Sequence, residues 1–221
     1  MGCGRPVSQM DLTGSGKAGA AYPNAQTCAA DPDPDQNVKL DLIRRLIDNG
    51  KLYAALAHLE AARSDSRQSA YLRAEILRQT DRSEQAAPLY RELLGGCMAG
   101  KGYHGLGLIA GRDSKISEAI AYLQKAAIAL PTDVRVRNDL GYALLLGRQF
   151  DAARNEFLTA LELDGGDSLA ATNMVLLLSV TEKKQEMQAF AAHMNMDPEI
   201  VTQLRAQAEE IKASLGRSTQ R

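Results

Sequence analysis

The sequence predicts an all-α protein in which pairs of antiparallel helices stack into a solenoid. Three observations support this fold: an internal repeat, a core composition rich in Ala and Leu, and cap residues at regular places. A shift of 34 residues superimposes the chain on itself. The matched positions are Leu106 with Leu140, Gly107 with Gly141, Ala119 with Ala153, Leu123 with Phe157, and Ala126 with Ala160.

The composition favours a helical protein with one core over nucleic-acid-binding and membrane-spanning proteins. A chain of 221 residues with 45% hydrophobic content is long enough to bury one ordinary core. Its 26 Lys and Arg against 27 Asp and Glu leave no basic excess that would indicate nucleic-acid binding. Aromatic residues make up only 5%, which favours helices packed through Ala and Leu over sheets. No apolar run approaches the roughly 20 residues of a membrane-spanning helix.

About five helix pairs are predicted over residues 37–196, followed by a capping helix over 197–215 and a tail over 216–221. In the clearest unit, Asp133 caps the first helix, Gly147 ends it and Asp151 caps the second helix. Gly141 predicts a close approach of the two helices, with Ala153 opposite. The capping helix begins at Asp197-Pro198-Glu199. Its inner face is predicted to consist of Ile200, Leu204, Ala208, Ile211 and Leu215.

Residues 1–36 are predicted to be a flexible, disordered linker. They are rich in Gly and Pro and nearly lack large aliphatic residues, and the run 31–35 (DPDPD) is incompatible with a helix or a strand. Gly14-Ser-Gly-Lys17 resembles part of a phosphate-binding loop. However, Asp11 and Ala18 stand where that loop needs Gly and Ser or Thr. No nucleotide site is therefore expected here.

The start of the chain suggests a lipid anchor. Gly2-Cys3, followed by a flexible tether, has the form of the mature end of a bacterial lipoprotein, in which Cys3 would carry the lipid. The basic and apolar segments of an export signal do not precede it. We therefore expect that the start is truncated and that Cys3 is the lipidation site. The alternative is a cytosolic protein whose Cys3 has no role.

Catalytic and metal-binding chemistry finds no support in the sequence. The chain has three cysteines, Cys3, Cys28 and Cys97, and none has the spacing of a zinc site. The histidines are isolated, and no Ser or Cys stands in a nucleophile motif. We expect no enzyme activity, no cofactor and no metal. Whether Cys28 and Cys97 form a disulfide stays open.

The concave face of such a solenoid is lined by the first helix of each pair, and a peptide-binding groove is predicted there. The residues assigned to it are Tyr71, Arg78, His104, Arg112, Arg135, Asn138 and Tyr142. Arginines, tyrosines and apolar spots suit an extended or helical peptide that carries a carboxylate. The alternative is that these residues form only a solvated polar face.

The repeat period and its small residues resemble the tetratricopeptide repeat. Two stretches carry a more specific likeness, RVRNDLGYALLLGRQFDAAR at 135–154 and ATNMVLLL at 171–178. They resemble the TadD family, the repeat lipoproteins of the Tad (Flp) pilus, over residues 40–195. This resemblance implies an outer-membrane lipoprotein that faces the periplasm and helps the pilus secretin assemble. Cys3 matches the lipidated cysteine of that family.

Two other functions remain open at this point. One is a cytosolic adaptor or co-chaperone that binds a peptide segment of another protein. The other is a regulatory subunit of an enzyme supplied by another chain. All of these hypotheses share a protein partner, and none involves nucleic acid or a small-molecule substrate.

Overall fold

The computed structural model describes residues 33–164, 166 and 168–218, and every regular element in these ranges is an α-helix. The eleven helices of these ranges are α1 (Pro34–Asp48), α2 (Leu52–Ala62), α3 (Arg67–Gln79), α4 (Ser83–Leu93), α5 (Ala99–Arg112), α6 (Ile116–Ala129), α7 (Val134–Leu146), α8 (Phe150–Leu163), α9 (Ser168–Val180), α10 (Lys184–His193) and α11 (Pro198–Ser218). None of them is both long enough and apolar enough to cross a bilayer.

The helices form five pairs and a final helix. Each odd-numbered helix from α1 to α9, here called an A helix, packs against the next helix, here called a B helix. Neighbouring A helices also contact one another from pair to pair, whereas neighbouring B helices make no substantial contact. The stack therefore curves with the A helices on its inner side. This arrangement confirms the predicted solenoid of helix pairs.

The turn from A helix to B helix has the same geometry in all five pairs. One residue in each turn has a left-handed backbone, with φ of 69° at Gly50, 60° at Asp81, 59° at Ser114, 60° at Arg148 and 59° at Glu182. The next residue donates its backbone N–H to the carbonyl five positions earlier, as Lys115 does to Ala110 at 2.9 Å. This is the hydrogen bond of a Schellman motif. Only the first of the five turns uses glycine, so the others adopt a conformation that disfavours their side chains.

The glycines at the 34-residue period allow a close approach between the A and B helices. A Cβ atom on Gly141 would lie 2.5 Å from the ring of Phe157, and one on Gly107 would lie 2.6 Å from Leu123. Phe157 and Leu123 are themselves equivalent positions of the repeat. The expected close approach is present, and the side chain nearest to Gly141 across it is Phe157. The glycine makes room for a large side chain.

Three predicted helix ends differ from the structure. Helix α1 begins at Pro34, inside the predicted linker, because Asp33 accepts a hydrogen bond from the N–H of Asp35 and Pro fits the first turn. The N-cap of α8 is Gln149, and Asp151 lies in the first turn instead. Helix α11 continues to Ser218. The predicted caps Asp133 and Gly147 of α7 are confirmed.

The buried residues form three clusters along the stack. Helices α1 and α2, with part of α3, hold the first cluster, and α3 to α5 hold the second. The third is a single continuous core that extends from α5 to α11. Leu204, Ala208 and Ile211 of α11 are buried in it as predicted, but Ile200 is 46% exposed and lies outside the packed face.

Candidate peptide-binding groove

A cavity of about 420 Å³ opens on the A-helix side of the first four pairs. Its lining comes from four A helices and from the turns that lead into two of them. The lining residues are Arg44, Ile47, Asp48, Gln68, Tyr71, Leu72, Glu75, Gln79, Cys97, Met98, Lys101, Leu130 and Arg135. We call this cavity the groove. Its volume lies in the range of sites that enclose a small ligand or a short segment of chain.

The groove combines an apolar wall with polar groups. Ile47 and Leu72 are buried, and Met98 and Leu130 are half-buried. Tyr71 packs between the first two core clusters. Burial raises the pKa of the Tyr71 hydroxyl well above its usual value, and the nearby charge of Glu75 adds to the effect. Tyr71 is therefore a neutral, half-buried aromatic side chain that offers contact area and one hydroxyl group.

Glu75 is a buried carboxylate whose two oxygens are both hydrogen-bonded. The Tyr90 hydroxyl donates to Oε1 at 2.5 Å, and Arg78 and Gln79 donate to Oε2 at 2.7 and 3.3 Å. Burial acts to raise the pKa of Glu75, but the charge of Arg78 and these hydrogen bonds outweigh it and lower the pKa. Glu75 therefore stays ionised and has its charge compensated inside the protein.

An ion pair crosses the groove between the first and fourth pairs. Nη1 of Arg135 at the start of α7 lies 3.5 Å from Oδ1 of Asp48 at the end of α1. The two side chains are 77% and 43% exposed. The other two cations of the lining have closer partners, because Lys101 contacts Asp133 at 2.6 Å and Arg44 contacts Asp41 at 2.7 Å.

The seven predicted groove residues fall in three places. Tyr71 and Arg135 line the groove. Arg78 lies directly behind it on Glu75, and its backbone carbonyl accepts a hydrogen bond from Arg112 at 2.7 Å. Arg112 also donates to Asp81 at 2.5 Å, so it joins the third pair to the second.

The other three predicted residues lie further along the A helices. Nε2 of His104 is 2.6 Å from Oδ2 of Asp139, which links α5 to α7. Asn138 is buried and accepts a hydrogen bond from Asn173 at 2.9 Å, which links α7 to α9. Tyr142 packs against the third core cluster. The contacts of His104 and Asn138 join neighbouring pairs. A ligand-binding role for the three residues stays a prediction.

Sequence reasoning missed Arg44, Asp48 and Lys101. Helix α1 is itself amphipathic, with Leu40, Ile43 and Ile47 buried. An A-helix register that continues into α1 places Arg44 and Asp48 on the inner face, where they line the groove. Lys101 stands in the first turn of α5, where a Gly-rich junction made the helix start hard to place.

Cys97 lines the groove and is disulfide-bonded. The sequence alone left open whether Cys97 takes part in a disulfide. The other two cysteines, Cys3 and Cys28, lie outside the described residues, as does the predicted lipid site. In the described ranges, no group of three or more His, Cys, Asp or Glu side chains could hold a metal ion.

A second cavity, of about 490 Å³, lies at the edge of the fourth and fifth pairs. Its lining includes the turn residues Arg148 and Gln149 and the end of α9 at Leu177 and Leu178. Nη1 of Arg154 in this cavity forms an ion pair with Oε2 of Glu186 at 2.7 Å. We assign the candidate site to the groove because four successive pairs contribute to it, whereas two pairs form the second cavity.

The sequence profile of the tetratricopeptide repeat matches residues 40–100 and 104–168, which is more than half of the chain. The chain belongs to the tetratricopeptide repeat family. Each helix pair is therefore one tetratricopeptide repeat, and the groove is the concave face of repeats 1 to 4. Proteins of this family are typically non-enzymatic scaffolds that bind protein or peptide partners.

A relative with a similar sequence is the TPR repeat-containing protein PA4299 of Pseudomonas aeruginosa. It is 36% identical over 181 residues, which cover 82% of this chain and 74% of that protein.

Solved tetratricopeptide repeat structures share the fold. Pseudomonas aeruginosa PilF has a TM-score of 0.61 at 17% identity, over 83% of this chain and 89% of PilF. YrrB, described as a protein with an unusual peptide-binding site, has a TM-score of 0.54 at 19% identity, over 76% and 90% of the two chains. MamA of strain AMB-1 has a TM-score of 0.53 at 23% identity, over 74% and 98%.

Proposed function

We propose that this protein is a non-enzymatic adaptor that holds a terminal segment of the pilus secretin in the groove and assists assembly of a Tad (Flp) pilus. The observation that carries the proposal is the groove itself, with an apolar wall, a half-buried tyrosine and cations from three repeats around one cavity. Such a surface suits a segment of peptide with alternating apolar and acidic groups.

The link to the pilus rests on likeness. The stretches at 135–154 and 171–178 resemble TadD proteins. PilF and YrrB support the proposal only through the fold that they share with this chain, and YrrB is an example of that fold with a peptide-binding site.

We further propose that the protein is anchored in the outer membrane through a lipid on Cys3 and faces the periplasm. The form of the sequence at Gly2-Cys3 supports the anchor. A lipid with several acyl chains would hold the solenoid at the membrane firmly.

The groove is tested by a matched pair of tyrosine variants. Tyr71→Ala removes the aromatic residue of the groove, whereas Tyr53→Ala removes a tyrosine of α2 that is 80% exposed. We expect Tyr71→Ala to weaken binding of the secretin's C-terminal segment about ten-fold or more in a pull-down and titration, and Tyr53→Ala to leave it unchanged. Melting curves of both variants separate loss of binding from loss of folding. Equal binding by both folded variants would place the partner on another face.

The anchor is tested by metabolic labelling with palmitate in cells that express the full-length gene. Label is expected in the wild type and in Cys28→Ser, and it is expected to be lost in Cys3→Ser. An unlabelled wild type would end the outer-membrane proposal and favour a cytosolic adaptor.

A further inference from the structure

We infer that the groove recognises the free C-terminal carboxylate of a partner's terminal segment through Arg135, and that Asp48 takes the place of that carboxylate when the groove is empty. This inference rests on the proposed function, because it concerns the partner and the regulation of the same groove. It depends on three observations: the pairing of charges around the groove, the geometry of the Asp48–Arg135 pair, and the position of that pair on the groove.

The charges of the lining leave one cation, Arg135, accessible to an anion. Arg44, Lys101 and Arg135 are cations, and Asp48 and Glu75 are the acidic residues among the lining residues. Glu75 accepts hydrogen bonds at both oxygens, and the charge of Arg78 compensates it. Arg44 and Lys101 are held by Asp41 and Asp133 outside the lining. Arg135, whose partner Asp48 is more distant, is therefore the cation of the lining that is most accessible to an incoming carboxylate.

The Asp48–Arg135 pair is a loose one. Its closest approach of 3.5 Å exceeds the 2.7–2.9 Å that is typical of a charge-assisted hydrogen bond. Arg135 is 77% exposed, and among the described residues no other carboxylate comes within ion-pair distance of it. The guanidinium group has a planar fork of donors that binds a carboxylate best through two parallel hydrogen bonds. A ligand carboxylate could form both bonds where Asp48 makes a single long contact.

The position of the pair favours the end of a chain over a segment that passes through. The pair joins α1 to α7 across the cavity, so repeat 1 and repeat 4 meet at one side of the groove. A cavity of about 420 Å³ has room for a few side chains only. A chain that ends at Arg135 needs no exit beyond the pair. Capture of a terminal carboxylate is a known mode of peptide recognition.

Two substitutions are expected to have opposite effects on binding. Asp48→Asn removes the competitor and should tighten binding about two- to five-fold, which corresponds to the small strength of an exposed ion pair. Arg135→Gln removes the carboxylate contact and should weaken binding about ten-fold or more. Since Asp48 acts only through Arg135, the double variant should bind like Arg135→Gln alone.

The experiment uses fluorescence polarisation with a labelled peptide copied from the C-terminus of the secretin, made once as the free acid and once as the amide. The full chain is used as wild type, Asp48→Asn, Arg135→Gln and the double variant. Arg91→Gln, an exposed position on α4, is the matched control and should not change binding. The free acid should bind more tightly than the amide in the wild type, and Arg135→Gln should abolish this difference. Melting temperatures of all variants report folding.

Several outcomes would overturn the inference. They are equal binding of acid and amide, weaker or unchanged binding by folded Asp48→Asn, and an amidated peptide with an added terminal Asp that binds as well as the free acid. If the secretin peptide binds in neither form, the partner proposed above is wrong. The carboxylate site is then tested with a library of free-acid peptides and its amidated counterpart, and the absence of a free-acid preference there overturns it.

Discussion

The buried side chains are arranged differently at the two ends of the solenoid. From α5 to α11 the buried side chains form one continuous apolar core that is closed by the capping helix. In repeats 1 and 2 the core is divided into two smaller clusters, with the buried pair Glu75 and Arg78 close to the groove. The difference shows that the C-terminal half packs its helices around one apolar core, whereas the N-terminal half places a buried ion pair beside a cavity.

The largest expected effect breaks the C-terminal core. Gly141→Leu places a side chain where even a Cβ atom would meet the ring of Phe157 at 2.5 Å. We expect the free energy of unfolding to fall by about 3 kcal/mol in urea denaturation, because the overpacked helices must separate. Gly111→Ala is the control. Its Cβ would meet only Ala119 at 3.9 Å, so it should stabilise the protein by up to about 1 kcal/mol. An unchanged midpoint for Gly141→Leu would contradict the close approach.

A smaller effect is expected from the polar network of the N-terminal half. Glu75→Gln removes the charge that Arg78, Tyr90 and Gln79 bond to. The free energy of unfolding should fall by about 1–3 kcal/mol, since Arg78 is left as a poorly compensated charge. Glu92→Gln on the exposed face of α4 is the control, with an expected change below about 0.5 kcal/mol. If Glu75→Gln were more stable than the wild type, the network would lower the free energy of unfolding, and its role would be in binding only.

The pH dependence sharpens the same test. The pKa of Glu75 is lowered below its ordinary value of 4.5 in the folded protein, where burial is outweighed by Arg78 and the hydrogen bonds. Its contribution is therefore complete above the unfolded pKa and is lost as the pH falls through the folded pKa. The difference in unfolding free energy between wild type and Glu75→Gln should be constant near neutral pH and should shrink at pH values below about 4.5. A difference that does not change with pH would mean that the charge of Glu75 has no role.

The smallest effect concerns a feature that both halves share, the left-handed turn. Ser114→Gly relieves a non-glycine residue at φ 59° and should raise the free energy of unfolding by about 0.5–1 kcal/mol. The reverse change, Gly50→Ala at φ 69°, should lower it by a similar amount. Thermal melts of the two variants should shift in opposite directions. Shifts in the same direction would mean that contacts of the side chains, and not the backbone, decide the stability of these turns.

Much of the fold could be predicted from the sequence because its causes are local. The 34-residue period sets the pairing of helices, and Asp133 and Gly147 mark the ends of α7 through contacts within a few residues. The prediction that Pro34 belongs to the linker was wrong, because Asp followed by Pro is also a favourable start for a helix. Ile200 fits the periodicity of α11 yet is 46% exposed, whereas Leu204, one turn later, is buried.

The candidate site was less accessible to sequence reasoning because its causes are long-range. Asp48 and Arg135 are 87 positions apart, and only the curvature of the stack brings them to 3.5 Å. The burial of Glu75 likewise depends on Tyr90 from the next helix. Asn138 sits on an A helix, as a groove residue should, but the neighbouring Asn173 satisfies its side chain inside the stack. A repeat pattern fixes neither curvature nor the partner of a polar residue.

The unequal contacts of the two helix layers allow the stack to bend along its curve. Since neighbouring B helices barely touch, straightening or tightening the curve breaks few contacts on the outer side, and the inner row acts as the hinge. Thermal bending should then alter the width of the groove at little energetic cost. The distance between the carboxylate of Asp48 and the guanidinium of Arg135 would change with that bending. A molecule that is bound along the inner row would stiffen the whole stack, far beyond the atoms that it contacts.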